Sequence, residues 1–494
     1  MAGTGLHDMT DFVTPRRLRD LLVGVTVAAI LLLAITACAP DLGKAPELSQ
    51  AGVYATARSF AATNTSWPDE AWWKAYGDPQ LDRLIDEALQ GTPDLKIAEA
   101  RLREAGAAEE QAGSALWPTL TANGSVKPER ESLNQGFPSQ FQSFLPHGWH
   151  TQGQVTGNLD YELDFFGKNR AALAAATSDS EAAAADVAEA RVTLSTSVAA
   201  AYADLMRLTA DRAAAADALR VRQESAALVA DRVKQQLENV GQASEQNSRV
   251  ASAEADVDVI DGQIARARNA IAALLGKGPD RGLDVALPQG VSLKAFGLPP
   301  SLAVDLVGRR PDIVAARLRA EAAASRIDVA HADYYPNIDL SGFYGVQSLG
   351  LSTLLQKSSI VGEIGPAIHL PIFDGGKIES GYRNARAEYD ESVATYDKTL
   401  VHALQDVADA AADCRALAKQ LAHSRAALAE SENAYRIAKL RYQGGLSRYL
   451  DVLTAEDTLV TLRKQVADLE AEAFTQDVAL VQALGGGFGA NIHA

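Results

Sequence analysis

Only two cysteines, Cys38 and Cys414, occur in the 494 residues, too few for a disulfide framework or a four-thiolate metal site. Aromatic residues are scarce at 6%, and there are three methionines. Large side chains are therefore too few for one thick core of ordinary composition. Basic residues are outnumbered, 46 Lys and Arg against 63 Asp and Glu, for a net charge of −17. A chain of that sign lacks the basic stripe that neutralises phosphates, which excludes nucleic acid as a partner. After residue 37 no apolar run is long enough to span a bilayer as a helix. What the chain has instead is alanine, roughly a fifth of all residues. Alanine is the strongest helix former and lets helices approach closely, so long close-packed helices are favoured.

The N-terminus carries a targeting pattern. Arg16, Arg17 and Arg19 precede the apolar run Leu21–Ile35, which ends in Ile35-Thr36-Ala37-Cys38. A basic region, a short apolar region and a small-residue cleavage site make residues 1–37 a secretory signal peptide. The last four residues resemble a bacterial lipobox, in which the thiol of Cys38 is acylated before cleavage. That resemblance implies an S-diacylglycerol and an N-palmitoyl group on Cys38 and no other cofactor. Residue 39 is Ala, not Asp, so the retention signal for the inner membrane is missing. Cys414, inside a helical pattern, reads as packing.

Beyond a non-periodic stretch that reads as an extended tether (lipidated segment 38–69), the chain repeats itself, the pattern to look for first. Pro93-Asp94-Leu95 matches Pro311-Asp312-Ile313 at an offset of 218, as do Trp117 with Tyr335 and Pro118 with Pro336. Gly167-Lys168 matches Gly376-Lys377, and Leu275-Gly276 matches Leu484-Gly485, at an offset of 209. Two repeats follow, 70–276 and 300–485, joined by a linker at 277–299 and followed by a tail at 486–494.

Each repeat has the same order of elements. In the second, a helix over Ile313–Ala332 stops at Tyr335-Pro336. Ile338, Leu340, Gly342, Tyr344 and Val346 then alternate with Asn337, Asp339 and Ser341. Ile364, Pro366, Ile368 and Leu370 do the same against Glu363 and His369. In the first repeat Val155, Leu159, Tyr161 and Leu163 alternate with Gln154, Thr156, Asn158, Asp160 and Glu162. Period two with one apolar and one polar face predicts strands with one dry and one wet side. By pattern alone a half-buried soluble sheet fits as well as a membrane barrel. Four strands cannot close such a barrel, which needs about eight, so several chains would have to share one, because open edges are not tolerated in lipid.

After the strands the period changes to steps of three and four, with no Pro or Gly between Tyr382 and Tyr442. This predicts one helix about 100 Å long at 1.5 Å per residue, packed against equally long partners. Gly444-Gly445 ends it, and Ser447 is placed to cap a return helix to Leu484. The first repeat predicts a helix over Lys168–Glu238, a turn at Asn239–Ser244, and a helix to Leu275. Measured between tip and end glycines, the first return helix is expected to be shorter or kinked.

These motifs, in this order and twice over, resemble the TolC-like outer-membrane efflux channels, in the NodT-type lipoprotein subfamily. The carriers are Cys38, Trp72-Trp73, Tyr76-Gly77-Asp78-Pro79-Gln80-Leu81-Asp82, Leu163 to Lys168, Pro371 to Lys377, and Tyr442 to Leu453. The resemblance implies a mainly α fold with a small β part: a homotrimer whose long helical hairpins form an α-helical barrel, joined to a shared 12-stranded transmembrane β-barrel. It implies an outer-membrane location, lipid-anchored and spanning, with a periplasmic adaptor and an inner-membrane RND-type pump as partners. It implies adaptor docking at the hairpin tips, Val240, Gly241 and Ser244 in the first repeat and Gly444, Gly445, Leu446 and Ser447 in the second. It also implies a periplasmic gate at Tyr442, Ser447 and Asp451, where three copies of Asp451 would favour cations. Thr454 stands where the family can carry a second Asp.

No other motif rises to chemistry. Gly375-Gly376-Lys377 lacks phosphate-loop spacing and a following Ser or Thr. His147 and His150 supply only two ligands, and no catalytic constellation can be assembled. The sequence reads as a passive exit duct for small molecules and no enzyme. A duct for type I protein secretion and a non-spanning periplasmic coiled-coil scaffold stay open as alternatives.

Overall fold

The computed structural model describes residues 40–60, 65–130, 132, 144, 147–288, 297–299 and 302–489. The signal peptide and the lipobox at Cys38 lie outside these residues. Helices α1 (Pro79–Leu89) and α2 (Pro93–Ser114) come first, then strands β1 (Thr119–Glu129) and β2 (His150–Glu162). The helices α3 (Lys168–Lys234) and α4 (Val240–Leu274) complete the first repeat. The second consists of α5 (Pro311–Ala332), β3 (Asn337–Leu349), β4 (Ile360–His369), α6 (Lys377–Gln443) and α7 (Tyr449–Ala483). Short helical turns at Asp280–Leu283 and Leu302–Asp305 lie between the repeats.

The long helices of the two repeats match in length. α2 and α5 have 22 residues each, α3 and α6 have 67, and α4 and α7 have 35. The expected shortening of the first return helix is therefore wrong. It came from equating Gly241 with Gly444, whereas α3, α4, α6 and α7 start and end at one constant offset of 209.

Two compact units divide the chain, one of Ala105–Ser180 and Arg319–Val393 with the segment up to Glu47, the other of Leu48–Glu104, Glu181–Leu318 and the remainder from Ala394. In the first, the strands form one antiparallel sheet in the order β1-β2-β3-β4. Its register aligns the two-residue periods of all four strands. Leu120 faces Leu159, Leu159 faces Gly342, and Gly342 faces Ile364. One row away on the opposite face, Thr119 faces Asp160 and Asp160 faces Ser341. The sheet thus has one apolar and one polar face across its width, and Leu120, Val126, Val155, Tyr344 and Ile364 stand exposed. β1 and β4 each pair on one side only among the described residues.

The long helices need starting points, and aspartates supply them. Asp374 accepts from the N–H groups of Gly376 (2.9 Å) and Ile378 (2.6 Å) at the head of α6. Asp164 accepts from Asn169 (3.2 Å) and Arg170 (3.0 Å) at the head of α3. Gly375-Gly376-Lys377 is thus the entry of a helix whose free N–H groups are already met by a carboxylate.

In the second unit the core is assembled on α1. Asp78 caps it, accepting from Gln80 N–H at 2.8 Å, and Pro79 opens it. Leu81, Leu84, Ile85 and Ala88, spaced as one helical face, are buried with Trp72, Trp73, Tyr202, Leu205 and Phe474. Burial of each large side chain stabilises by about 1.5–3 kcal/mol. The other oxygen of Asp78 accepts from the Tyr202 hydroxyl at 2.5 Å, tying cap to core. A second cluster joins Ala51, Leu298, Leu306 and Ile313 to Tyr396, Leu400 and Val407, with Cys414 packed against it. Burial pushes the Cys414 thiol up to about 11, in keeping with a packing role. Phe488, in the stretch read as a tail, packs against Ala182 and Val314. Among the described residues no helix is long and apolar enough to cross a membrane.

Candidate functional site

The two hairpin tips are built by the same turn. At the second, Gly445 takes the left-handed conformation (φ 71°) after α6. Gly445 N–H donates to Tyr442 O at 3.0 Å and Leu446 N–H to Arg441 O at 2.8 Å, the paired bonds of a Schellman turn. At the first, Gln236 N–H donates to Val233 O at 3.0 Å and Leu237 N–H to Arg232 O at 2.9 Å. There the left-handed residue is Gln236 (φ 63°), the one described non-glycine with positive φ.

This corrects the expected turn at Asn239–Ser244. Asn239 is the N-cap of α4, accepting from Gln242 N–H at 3.0 Å, and Val240, Gly241 and Ser244 are already helical. The sequence pointed to the glycine, but the chain turns five residues earlier without one. Gly444, Gly445, Leu446 and Ser447 do form the second turn. Ser447 does not cap α7, since Arg448 holds the N-cap position. Apolar side chains stand exposed at both tips among polar ones such as Gln236 and Arg448: Leu237 and Leu446, related by the 209-residue offset, are 61% and 74% exposed, with Val240 and Leu450 beside them at 70% and 65%. Glycine spacing hides Leu237, whereas the 209-residue offset of the repeats places it opposite Leu446.

Behind the turns, the expected gate residues separate into two groups. Tyr442 is buried, its ring 5.2 Å from the Arg232 guanidinium carbon and 5.1 Å from the Tyr449 ring. The Tyr449 hydroxyl donates to Gln246 Oε1 at 3.2 Å. Burial raises both phenols above their usual range. The hydroxyls of Tyr442 and Ser447 are buried with no hydrogen-bond partner among the described residues. Asp451 stands apart on the first turn of α7, exposed, accepting from the Arg448 N–H at 3.2 Å. That bond satisfies one free N–H of the helix start, and the acidic charge there suits the helix dipole.

Deeper in the same unit, charged pairs hold the four helices in register. Lys439 meets Glu224 at 3.3 Å, Arg249 meets Asp457 at 3.9 Å, and Arg463 reaches Glu432 at 3.1 Å as well as Asp217. Exposed pairs of this kind contribute little each; their effect is on register. One pair is different. Glu456 is 2% exposed and lies 3.9 Å from Arg222, and neither Glu456 Oε2 nor Arg222 Nε has a hydrogen bond among the described residues. Burial raises the Glu456 carboxyl above its ordinary value, outweighing the opposite pull of Arg222. Helical periodicity gave no sign of this pairing, which depends on how α3 meets α7. His150 Nε2 lies 2.9 Å from the carbonyl of His147, and among the described residues no group of three potential ligands could hold a metal.

Comparison with known proteins bears on this geometry. The model of a family described as outer membrane efflux protein matches residues 84–277 and 302–486. The multidrug resistance outer membrane protein MdtP of Escherichia coli (strain K12) is 30% identical over 444 residues, covering 86% of this chain and 88% of its own. Among solved structures, the outer membrane protein VceC from Vibrio cholerae superposes with a TM-score of 0.80 at 42% identity, over 85% of this chain and 100% of its own. The outer-membrane channel OprN gives 0.81 at 27% identity, over 91% and 99%.

Proposed function

Since the chain belongs to the outer membrane efflux protein family, we propose that it is the passive exit duct of a multidrug efflux system, working as a homotrimer and doing no chemistry itself. The observation that carries this is the sheet: four strands with one continuous apolar face and two outer edges left over. Four strands cannot close in lipid, and open edges are not tolerated there. Three copies joined edge to edge, β4 of one to β1 of the next, close a barrel of twelve with the apolar face outward. The polar face then lines water. Small drugs are the proposed cargo, because MdtP is named for multidrug resistance.

The exposed leucines of the hairpin tips suit the helical hairpin of a periplasmic adaptor, which would connect the duct to an inner-membrane RND-type pump. Three Asp451 carboxylates around the opening would favour cations. Cys38 would carry the N-palmitoyl and S-diacylglycerol groups, and more than one acyl chain is what stable anchoring needs.

Purified protein in planar bilayers is expected to conduct. Absence of conductance in the wild type and in tip variants alike would leave the scaffold reading instead. A deletion strain is expected to become drug-sensitive with its secreted proteins unchanged; the reverse pattern would assign the duct to protein secretion. Cys38→Ser is expected to abolish palmitate labelling.

A further inference from the structure

The segment after Cys38, which composition presents as a loose tether, is held to α6 by side chains. Arg386 donates through Nη2 to Lys44 O at 2.7 Å and through Nη1 to Gly43 O at 3.4 Å, while its Nε binds Asp390 at 2.8 Å. Its side chain is only 14% exposed. Tyr389 donates its hydroxyl to Pro46 O at 3.0 Å, and Asp397 accepts from Ser49 N–H at 3.0 Å. Before the clamp, Asp41 accepts from Gly43 N–H at 2.9 Å, bending the chain toward it.

We propose that residues 41–46 form a strap locked to α6 by Arg386 and Tyr389, and that this strap sets the level at which the N-terminal acyl chains enter a lipid surface. The inference rests on the lipid-anchor reading given above. Its direction follows from the contacts: they advance together, residues 43 and 44 with 386, 46 with 389, and 49 with 397. Going upstream, the strap therefore heads toward the first residue of α6, Lys377. Arg386 lies nine residues past that point, about 14 Å along the helix. Gly43 is five chain steps from Cys38, a reach of at most about 18 Å. The anchor can just reach the level where α6 begins, beside the end of β4, and little further. Arg386 suits the clamp because a guanidinium can bind two carbonyls and a carboxylate at once, which a lysine ammonium does in no fixed geometry.

Trypsin tests this on the full-length protein in membranes, by mass spectrometry of cleavage after Lys44. The wild-type bond is expected to resist, with Arg386→Ala cut at least tenfold faster, and Arg386→Lys and Tyr389→Phe between the two. Equal rates in wild type and Arg386→Ala would overturn the strap. If Arg386→Ala does not fold, Tyr389→Phe, which removes one hydroxyl, carries the same comparison, and equal rates there count equally against it. Palmitate labelling separates the two ideas. Cys38→Ser should keep the protection, because the clamp is made of protein atoms. Lack of labelling in the wild type would remove the anchor reading, and with it the role in lipid entry, while leaving the clamp standing.

Discussion

Gln236 and Gly445 hold the same place in the two hairpin turns, 209 residues apart, with φ of 63° and 71°. Glycine adopts that conformation freely, whereas an L side chain pays roughly 1–2 kcal/mol for it. Gln236→Gly relieves that strain but loosens the unfolded chain, so it is expected to stabilise the first hairpin by about 0.5–1 kcal/mol. Slower amide exchange around residues 232–242 measures it. No change would mean that Gln236 makes a compensating contact outside the single chain.

That pair also shows where the sequence was legible. The repeat, the strand parity and the unbroken α6 rest on local spacing, so Pro93 with Pro311, Leu159 with Asp160, and the run to Tyr442 could be read directly. The tip register could not. Gly241 looked like the turn because glycine is the usual left-handed residue, and the structure gives that task to a glutamine. Nor does spacing within one helix reveal Tyr442 against Arg232 or Glu456 against Arg222, since each pair joins helices distant in sequence.

Arg232 and Tyr442 are expected to be energetically coupled across the tip. A guanidinium 5.2 Å from the ring gives about 0.5–1 kcal/mol when partly exposed. Arg232→Ala and Tyr442→Leu should each raise the closed-to-open equilibrium, and the double variant should fall short of the combined effect by about two- to five-fold. Additive effects in planar-bilayer recordings would show that the contact does not act on the tip.

Gly345 and Gly365 make a contrasting pair in the sheet. A Cβ on Gly345 would lie 2.1 Å from Val155 O and 2.7 Å from Thr156 Cα, within the β2–β3 pairing, whereas one on Gly365 meets nothing within 4 Å. Backbone cannot yield there as a flexible side chain would. Gly345→Ala is expected to cost roughly 3 kcal/mol or more and to deplete folded protein from the outer membrane, while Gly365→Ala is tolerated. Heat-modifiable gel mobility of membrane fractions compares them directly.

Glu456 is expected to make the packing of the hairpins depend on pH. Its carboxyl is raised from the ordinary 4.5 by burial, against the attraction of Arg222. Lys439 on α6, Arg249 on α4 and Asp457 on α7 add smaller effects. The packed state therefore holds the proton more tightly than the unpacked state, where water solvates the carboxylate. The sign follows: the cost of the buried charge is present in full above the raised value and is relieved as pH falls toward 4.5. Acidification within that window should tighten the hairpins, and Glu456→Gln should flatten this part of the profile. Subtracting the variant's unfolding midpoints from the wild type's across pH isolates Glu456 from Glu189 and Asp211, whose carboxyls burial also raises. Parallel profiles would mean that Glu456 has the same proton affinity packed and unpacked. The ion pair with Arg222 would then fully offset its burial, despite a separation of 3.9 Å and no hydrogen bond.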